Sequence, residues 1–401
     1  SQDATSRVVV QLTTVEIKAD QYDEKRHFCL GHYFRDTYDA SMAQLPNILS
    51  GITINRVEVW VTNKTGVTSN TRHIVALADL GEHSHIGSPL WTPQGADNVP
   101  ANGANSLYPT LTSQLAAARD ISQTTPTLDG YGLVGGADYE KLENARRLNS
   151  SEYILNSALG YISLRSALQT DQVLAVAYEY TWRGQRYQVG EFSTDVKDNG
   201  QALFVKALRN TSCSPQMANW PLMMKNVYSL GAGSLQRDKF KFDIKILSDT
   251  TGVYLSYLPL PALKSKKILS LMGLDRLDNN NKRNPNGVFD YVEGYTVHAA
   301  TGRIYFPTVE PFGSTLRQYF ASDAEAEPYL YQELYDSTHT QAKQLAEKNK
   351  YVLVGEYKAS KNNEIQLGSM NVPRGSVVVT AGGMTLTEGT DYRVDYASGV
   401  V

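Results

Sequence analysis

Residues 54–82 read INRVEVWVTNKTGVTSNTRHIVALADLGE, and no other stretch constrains the fold as much. An alternating segment runs into a polar Asn/Thr/Gly turn, and a second apolar segment closes on Asp79-Leu80-Gly81-Glu82. Val57, Val59 and Val61 fall on one face and Glu58 and Trp60 on the other, as the two-residue period of a pleated strand requires. The reading is a pair of strands from Ile52 to Leu80. Lys239 to Leu247 repeats the pattern, with Phe240, Phe242, Ile244 and Ile246 set against Lys241, Asp243 and Lys245. A strand with one buried face explains it. Transmembrane barrel strands alternate in the same way, but the charge-rich segments around this one favour a sheet exposed to water.

Further strands are expected over 158–164, 173–180 and 187–192, with the turn at Thr181–Gln185 supplied by Gly184. Helical spacing is read over 26–45 up to Pro46, over Tyr139–Leu148 and over 329–350, and a short helix over Gln114–Arg119. Residues 83–137 and 260–287 read as loops rich in Gly, Pro, Ser, Thr or Asn. A hairpin is expected over 288–309, turning at Thr301-Gly302. A final β module follows, with short strands at Tyr351–Tyr357, Glu364–Leu367, Ser376–Ala381 and Tyr392–Tyr396 and a Gly382-Gly383 turn. The fold class expected is α+β, predominantly antiparallel β, as β-sandwich-like domains with short edge helices. The 401 residues divide into 1–250, 251–325 and 326–401.

The formal net charge of −3 argues against a nucleic-acid partner, which would want a basic excess. The 25 tyrosines against 10 phenylalanines suit half-buried strands and wet binding faces. Cys29 and Cys213 either pair, a closure worth roughly 2–5 kcal/mol, or remain buried thiols. No long apolar run can serve as a membrane helix. The opening SQDATSRVVVQ has no secretory pattern, and the chain stops on the β-like DYRVDYASGVV. The expectation is a piece of a larger protein.

Catalytic motifs are not found. Gly231-Ala232-Gly233-Ser234-Leu235-Gln236 lacks the third glycine of a dinucleotide loop, and no phosphate-binding loop or nucleophile elbow occurs. No enzyme activity and no cofactor are expected. His83 and His85 are close enough to share a metal but sit in a Gly/Ser loop. The best ion-site register is residues 282–293, which places Asn284, Asn286 and Glu293 at ligand positions of a calcium loop, with Asp290 nearby. Lys282 occupies the first position, where an oxygen donor belongs, and an Asn-Pro-Asn-Gly turn explains the same residues. Trp60, Trp91, Trp182 and Trp220 are either core plugs or a sugar-stacking platform.

A series of short words runs in order along the chain. HYFRDTYD (32–39) and RVEVWVTN (56–63) come first, then ARRL (145–148), SEY (151–153), LGYISL (159–164) and VGEF (189–192). WPLMMKNVY (220–228), GVFDY (287–291), GRIYFP (302–307), EPFG (310–313), ELYDS (333–337) and NVPRGS (371–376) complete it. Together they resemble the SprA (Sov) family, the giant outer-membrane translocons of type IX secretion and gliding motility. Residues 83–139 match no word of that family, and the family offers no catalytic residues to carry over. The resemblance implies a non-enzymatic role in an outer-membrane, cell-surface export channel that works with other secretion subunits and cargo. This chain would be a water-exposed part of it that caps or gates the pore or contacts cargo and partners. The extracellular side is favoured over the periplasm because long insertions in such barrels face outward. The rival reading is a surface carbohydrate-binding or adhesive module.

Overall fold

A computed structural model describes residues 11–359, 372–381, 384–397 and 399–401. In chain order the strands begin with β1 (Gln11–Lys18), β2 (His27–Cys29), β3 (Ile52–Val61), β4 (Thr71–Leu77), β5 (Tyr139–Arg147) and β6 (Tyr153–Asn156). Next come β7 (Tyr161–Leu164), β8 (Leu174–Trp182), β9 (Gln185–Val189), β10 (Leu203–Arg209), β11 (Val227–Ser229) and β12 (Gln236–Leu247). The last are β13 (Tyr254–Leu255), β14 (Val297–His298), β15 (Arg303–Tyr305), β16 (Tyr351–Ala359), β17 (Thr380–Ala381) and β18 (Met384–Thr385). The chain is α+β and predominantly antiparallel, with short helices; β10 and β4 run parallel.

The largest sheet is ordered β10-β4-β5-β3-β8-β9, and β10 pairs with β8 as well as β4. The ladder therefore closes on itself as a small barrel, with β9 hanging from β8. So few strands leave a narrow interior, and the sequence fills it accordingly. Trp60 lies in the same cluster as Ala76, Ala145, Ala175, Ala177 and Ala207. Alternate residues of the same strands, including Val59, Val176 and Tyr178, face outward into the largest core cluster.

The segment 54–82 is thus two strands, as expected, but they do not pair with each other, because β5 lies between them. Of the residues Tyr139–Leu148 expected as a helix, Tyr139–Arg147 form that strand. The helix-like spacing of Tyr139, Leu142 and Ala145 arises because the ladder slips between Arg72 and Ile74 and Asn144 adopts φ 49. The slip returns Ala145 to the inner face that strict alternation would have denied it. Good helix formers are overridden by the pairing on both sides.

Residues 83–137 are also more ordered than a loop. Helices Leu107–Ser113 and Thr124–Tyr131, with a turn at Ala116–Arg119, cover the outside of β4 and β10. Their apolar residues share a core with Val75, Leu77 and Phe204. Residues 26–45 give β2 and two short helices, His32–Asp36 and Tyr38–Met42. The long helix expected over 329–350 is broken at Thr338, whose extended backbone (ψ 156) starts a new capping box with Gln341. Residues 260–287 contain the buried turn Ile268–Leu271.

The hairpin expected over 288–309 is shortened to β14 and β15, which turn through Gly302 at φ 66, and β15 pairs on its other edge with β11. The β8–β9 hairpin turns at Arg183-Gly184, both with positive φ (49 and 75), the geometry a two-residue loop favours. The four-stranded sheet β1-β16-β12-β13 draws on all three of the expected segments, 1–250, 251–325 and 326–401. Its strand β16, expected in the terminal module, lies instead between β1 and β12. At the C-terminus, β17 and β18 form a ladder with its own apolar cluster around Val372, Val377 and Val379. Glu364–Leu367 and Gly382-Gly383 lie outside the described residues.

Candidate functional site

Neighbouring strands first define the most chemically organised site. His27 on β2 stands directly opposite Ser163 on β7, and cross-strand neighbours on one face lie within side-chain reach. Nδ1 of His27 lies 2.7 Å from the Ser163 hydroxyl, and Nε2 lies 2.7 Å from Oδ2 of Asp23, four residues earlier. β15 contributes two more groups. The Tyr305 hydroxyl is 2.9 Å from Ser163 Oγ, and Nε of Arg303 is 2.6 Å from Asp23 Oδ2.

Charge settles where the protons lie. Burial alone would raise the Asp23 carboxyl, but hydrogen bonds from His27 and Arg303 outweigh it and hold the group at about 2. Burial pushes the His27 imidazole down despite Asp23, so the ring is neutral at pH 7. Its single N–H then points at Asp23, and Nδ1 accepts from Ser163. The Tyr305 hydroxyl, pushed up to about 12 by burial, stays protonated and donates to Ser163 Oγ. The result is a directed chain, Tyr305 to Ser163 to His27 to Asp23. Nucleophile, base and orienter are connected as in a hydrolytic triad, with the two ring nitrogens exchanged. Ser163, however, is 3% exposed and is bonded on both sides.

His27, Ser163, Arg303 and Tyr305 line a cavity of about 300 Å³, which the loop after β11 also borders. The sequence reading missed this site. Its members lie up to 280 residues apart, as the Asp23–Arg303 pair shows. The one available signal was that Ser163 and Arg303 fall in two of the ordered words, LGYISL and GRIYFP.

The ion-site candidates are placed differently. Asp290 is buried and accepts the Arg276 and Leu277 amides at 2.7 and 3.0 Å, while Glu293 accepts the Ala299 amide at 3.1 Å. Asn286 Oδ1 accepts the Val288 amide at 3.1 Å, and Asn284 is exposed. Asp275 in turn caps Asn286 and Gly287, so two carboxylates tie two loops reciprocally. Burial raises Asp290 to about 6. Among the described residues, no three His, Cys, Asp or Glu side chains group as metal ligands. His85 is hydrogen-bonded to Asp36 at 2.8 Å and stacks on His32.

The four tryptophans do not form a platform. Trp60, Trp91 and Trp220 are buried, and the last two donate to Asp79 and to the Tyr335 carbonyl. Trp182 is half-buried beside Tyr187, with the Arg183 guanidinium over its ring. Cys29 and Cys213 are both free, and burial pushes the Cys29 thiol up to about 12, where it is unreactive.

Several ordered words place a buried or half-buried polar side chain at a junction of the fold. Glu58 holds Arg147 and Ser193, and Glu191 holds Arg119; outside the words, Glu82 holds Lys206. Asn226 donates to the Phe306 and Thr308 carbonyls, and the Tyr335 hydroxyl accepts the Phe312 amide. No helix among the described residues is long and apolar enough to cross a membrane. No protein-family model matches the chain, and no curated protein matches it significantly.

Proposed function

We propose that this chain is a non-enzymatic, water-exposed part of an outer-membrane protein-export channel of the SprA (Sov) type, acting in pore capping or gating or in contact with cargo and partner subunits. One observation supports the reading. The words that carry the resemblance supply Glu58, Glu191, Asn226, Asp290 and Tyr335, whose buried side chains join separate elements. Buried polar groups tolerate few alternatives because each needs its partner. Words of this kind constrain a fold, and the family's role is carried to this chain only as part of the proposal.

The test uses the full-length protein in cells. Deleting residues 11–359 should cause secreted proteins to accumulate in the periplasm, and unimpaired secretion would overturn the proposal. Val134 is 59% exposed, so Val134→Cys with Cys213→Ser reports on location. Labelling of intact cells by a membrane-impermeant maleimide places the segment outside; labelling only after the outer membrane is opened places it in the periplasm.

The Ser163–His27–Asp23 geometry favours a second reading, an acyl hydrolase. A fluorophosphonate probe that labels the wild type and not Ser163→Ala would support it. Absence of labelling removes it. The burial of three tryptophans leaves the carbohydrate reading without its platform.

A further inference from the structure

The cavity beside the His27–Ser163–Tyr305 chain has an unusual charge balance for a protein of net charge −3. Its lining contains Arg165, Arg303 and His27 and no carboxylate. Asp23 lies behind His27 and Arg303, and Arg26 approaches its other oxygen at 3.5 Å. One carboxylate thus faces Arg26 and Arg303, and Arg165 adds a third guanidinium, leaving an excess of positive charge.

The hydrogen-bond donors are also incompletely used. Arg165 is exposed, and its guanidinium makes no hydrogen bond or ion pair to any described residue. The backbone amides of Ala232 and Gly233 donate to no described residue. They sit in a loop bounded by positive φ at Gly231 (75) and Ser234 (54), and both Ala232 and Gly233 line the cavity. Close packing fixes that loop, because a side chain at Gly302 would collide with the Ala232 carbonyl.

We infer that this cavity binds a small oxyanion, a carboxylate or phosphoryl group, held between the Arg165 guanidinium and the Ala232 and Gly233 amides. Arginine and backbone N–H groups are the donors that suit such oxygens, and charge-assisted bonds to them are the stronger kind. A volume of about 300 Å³ admits an ion or a small acid. The hydrogen-bonded chain below it is internally satisfied, so the cavity floor stays fixed when the ligand enters.

The test is titration calorimetry on the folded protein with inorganic phosphate and, separately, with lactate, at ionic strength held constant with chloride. Saturable binding of either is expected, and phosphate alone or lactate alone identifies which group is read. In Arg165→Ala, an exposed position whose loss leaves the core intact, affinity should fall at least roughly tenfold. Arg165→Lys should recover part of it. No saturable binding by the folded wild type, or equal affinity in Arg165→Ala, overturns the inference.

Discussion

Lys206 is wholly enclosed on the outward face of β10, where its ammonium meets Glu82 at 2.9 Å and the Ala78 carbonyl. Removing one partner of such a pair leaves an uncompensated buried charge, whereas removing both charges does not. Lys206→Met should therefore destabilise the protein by about 3–5 kcal/mol, and Lys206→Met with Glu82→Gln should recover much of that loss in urea denaturation. Next to this pair, His32 is pushed down to about 4, first by burial. Its folded value lies below its unfolded one, so its contribution is complete above about pH 6.5 and is lost as pH falls toward 4. The wild type should lose roughly 2 kcal/mol over that window relative to His32→Gln, measured as the difference in unfolding free energy at each pH. A flat difference would show that His32 does not titrate in that range. At this scale the sequence marked Glu82 through its Asp-Leu-Gly-Glu segment but gave no hint of Lys206 as its partner, 124 positions away, since charge pairing leaves no periodic trace.

The β6–β7 hairpin is an element whose turn depends on one residue. Gly160 has φ 75, and a Cβ there would lie 2.6 Å from Cγ of Phe34. Gly160→Ala combines a left-handed backbone with overpacking and should cost about 2–4 kcal/mol, read as a lowered denaturation midpoint with unchanged slope. β3 and β12 were legible because their apolar residues alternate, and β8 and β9 because an apolar run of strand length leads into a Gly184 turn. β5 was not, since its bulge mimics helical spacing, and neither was the helical cover over 83–137. That cover buries residues such as Trp91, Leu107 and Leu128 at irregular intervals against a sheet face, and irregular spacing carries no signal of its own.

Across the whole molecule, the sheet β1-β16-β12-β13 joins distant parts of the chain, with β16 as an inner strand. Its core combines Ile17, Ile244, Phe312 and Leu353. A chain ending at residue 349 should lose β16, expose that core and unfold without cooperativity, with weak near-ultraviolet circular dichroism. A chain ending at residue 371 keeps it and should unfold cooperatively, because the described residues 372–401 pack their own cluster. Equal behaviour of the two truncations would contradict this. The local patterns determined that the chain is β-rich and where most strands lie, because period and turn chemistry act over a few residues. Only the tertiary structure decided that the main sheet closes into a barrel, that three of the four tryptophans are plugs and that Asp23, His27, Ser163 and Tyr305 meet. Those outcomes depend on pairings between segments far apart in sequence, where burial and hydrogen bonding, not local preference, determine which segments come together.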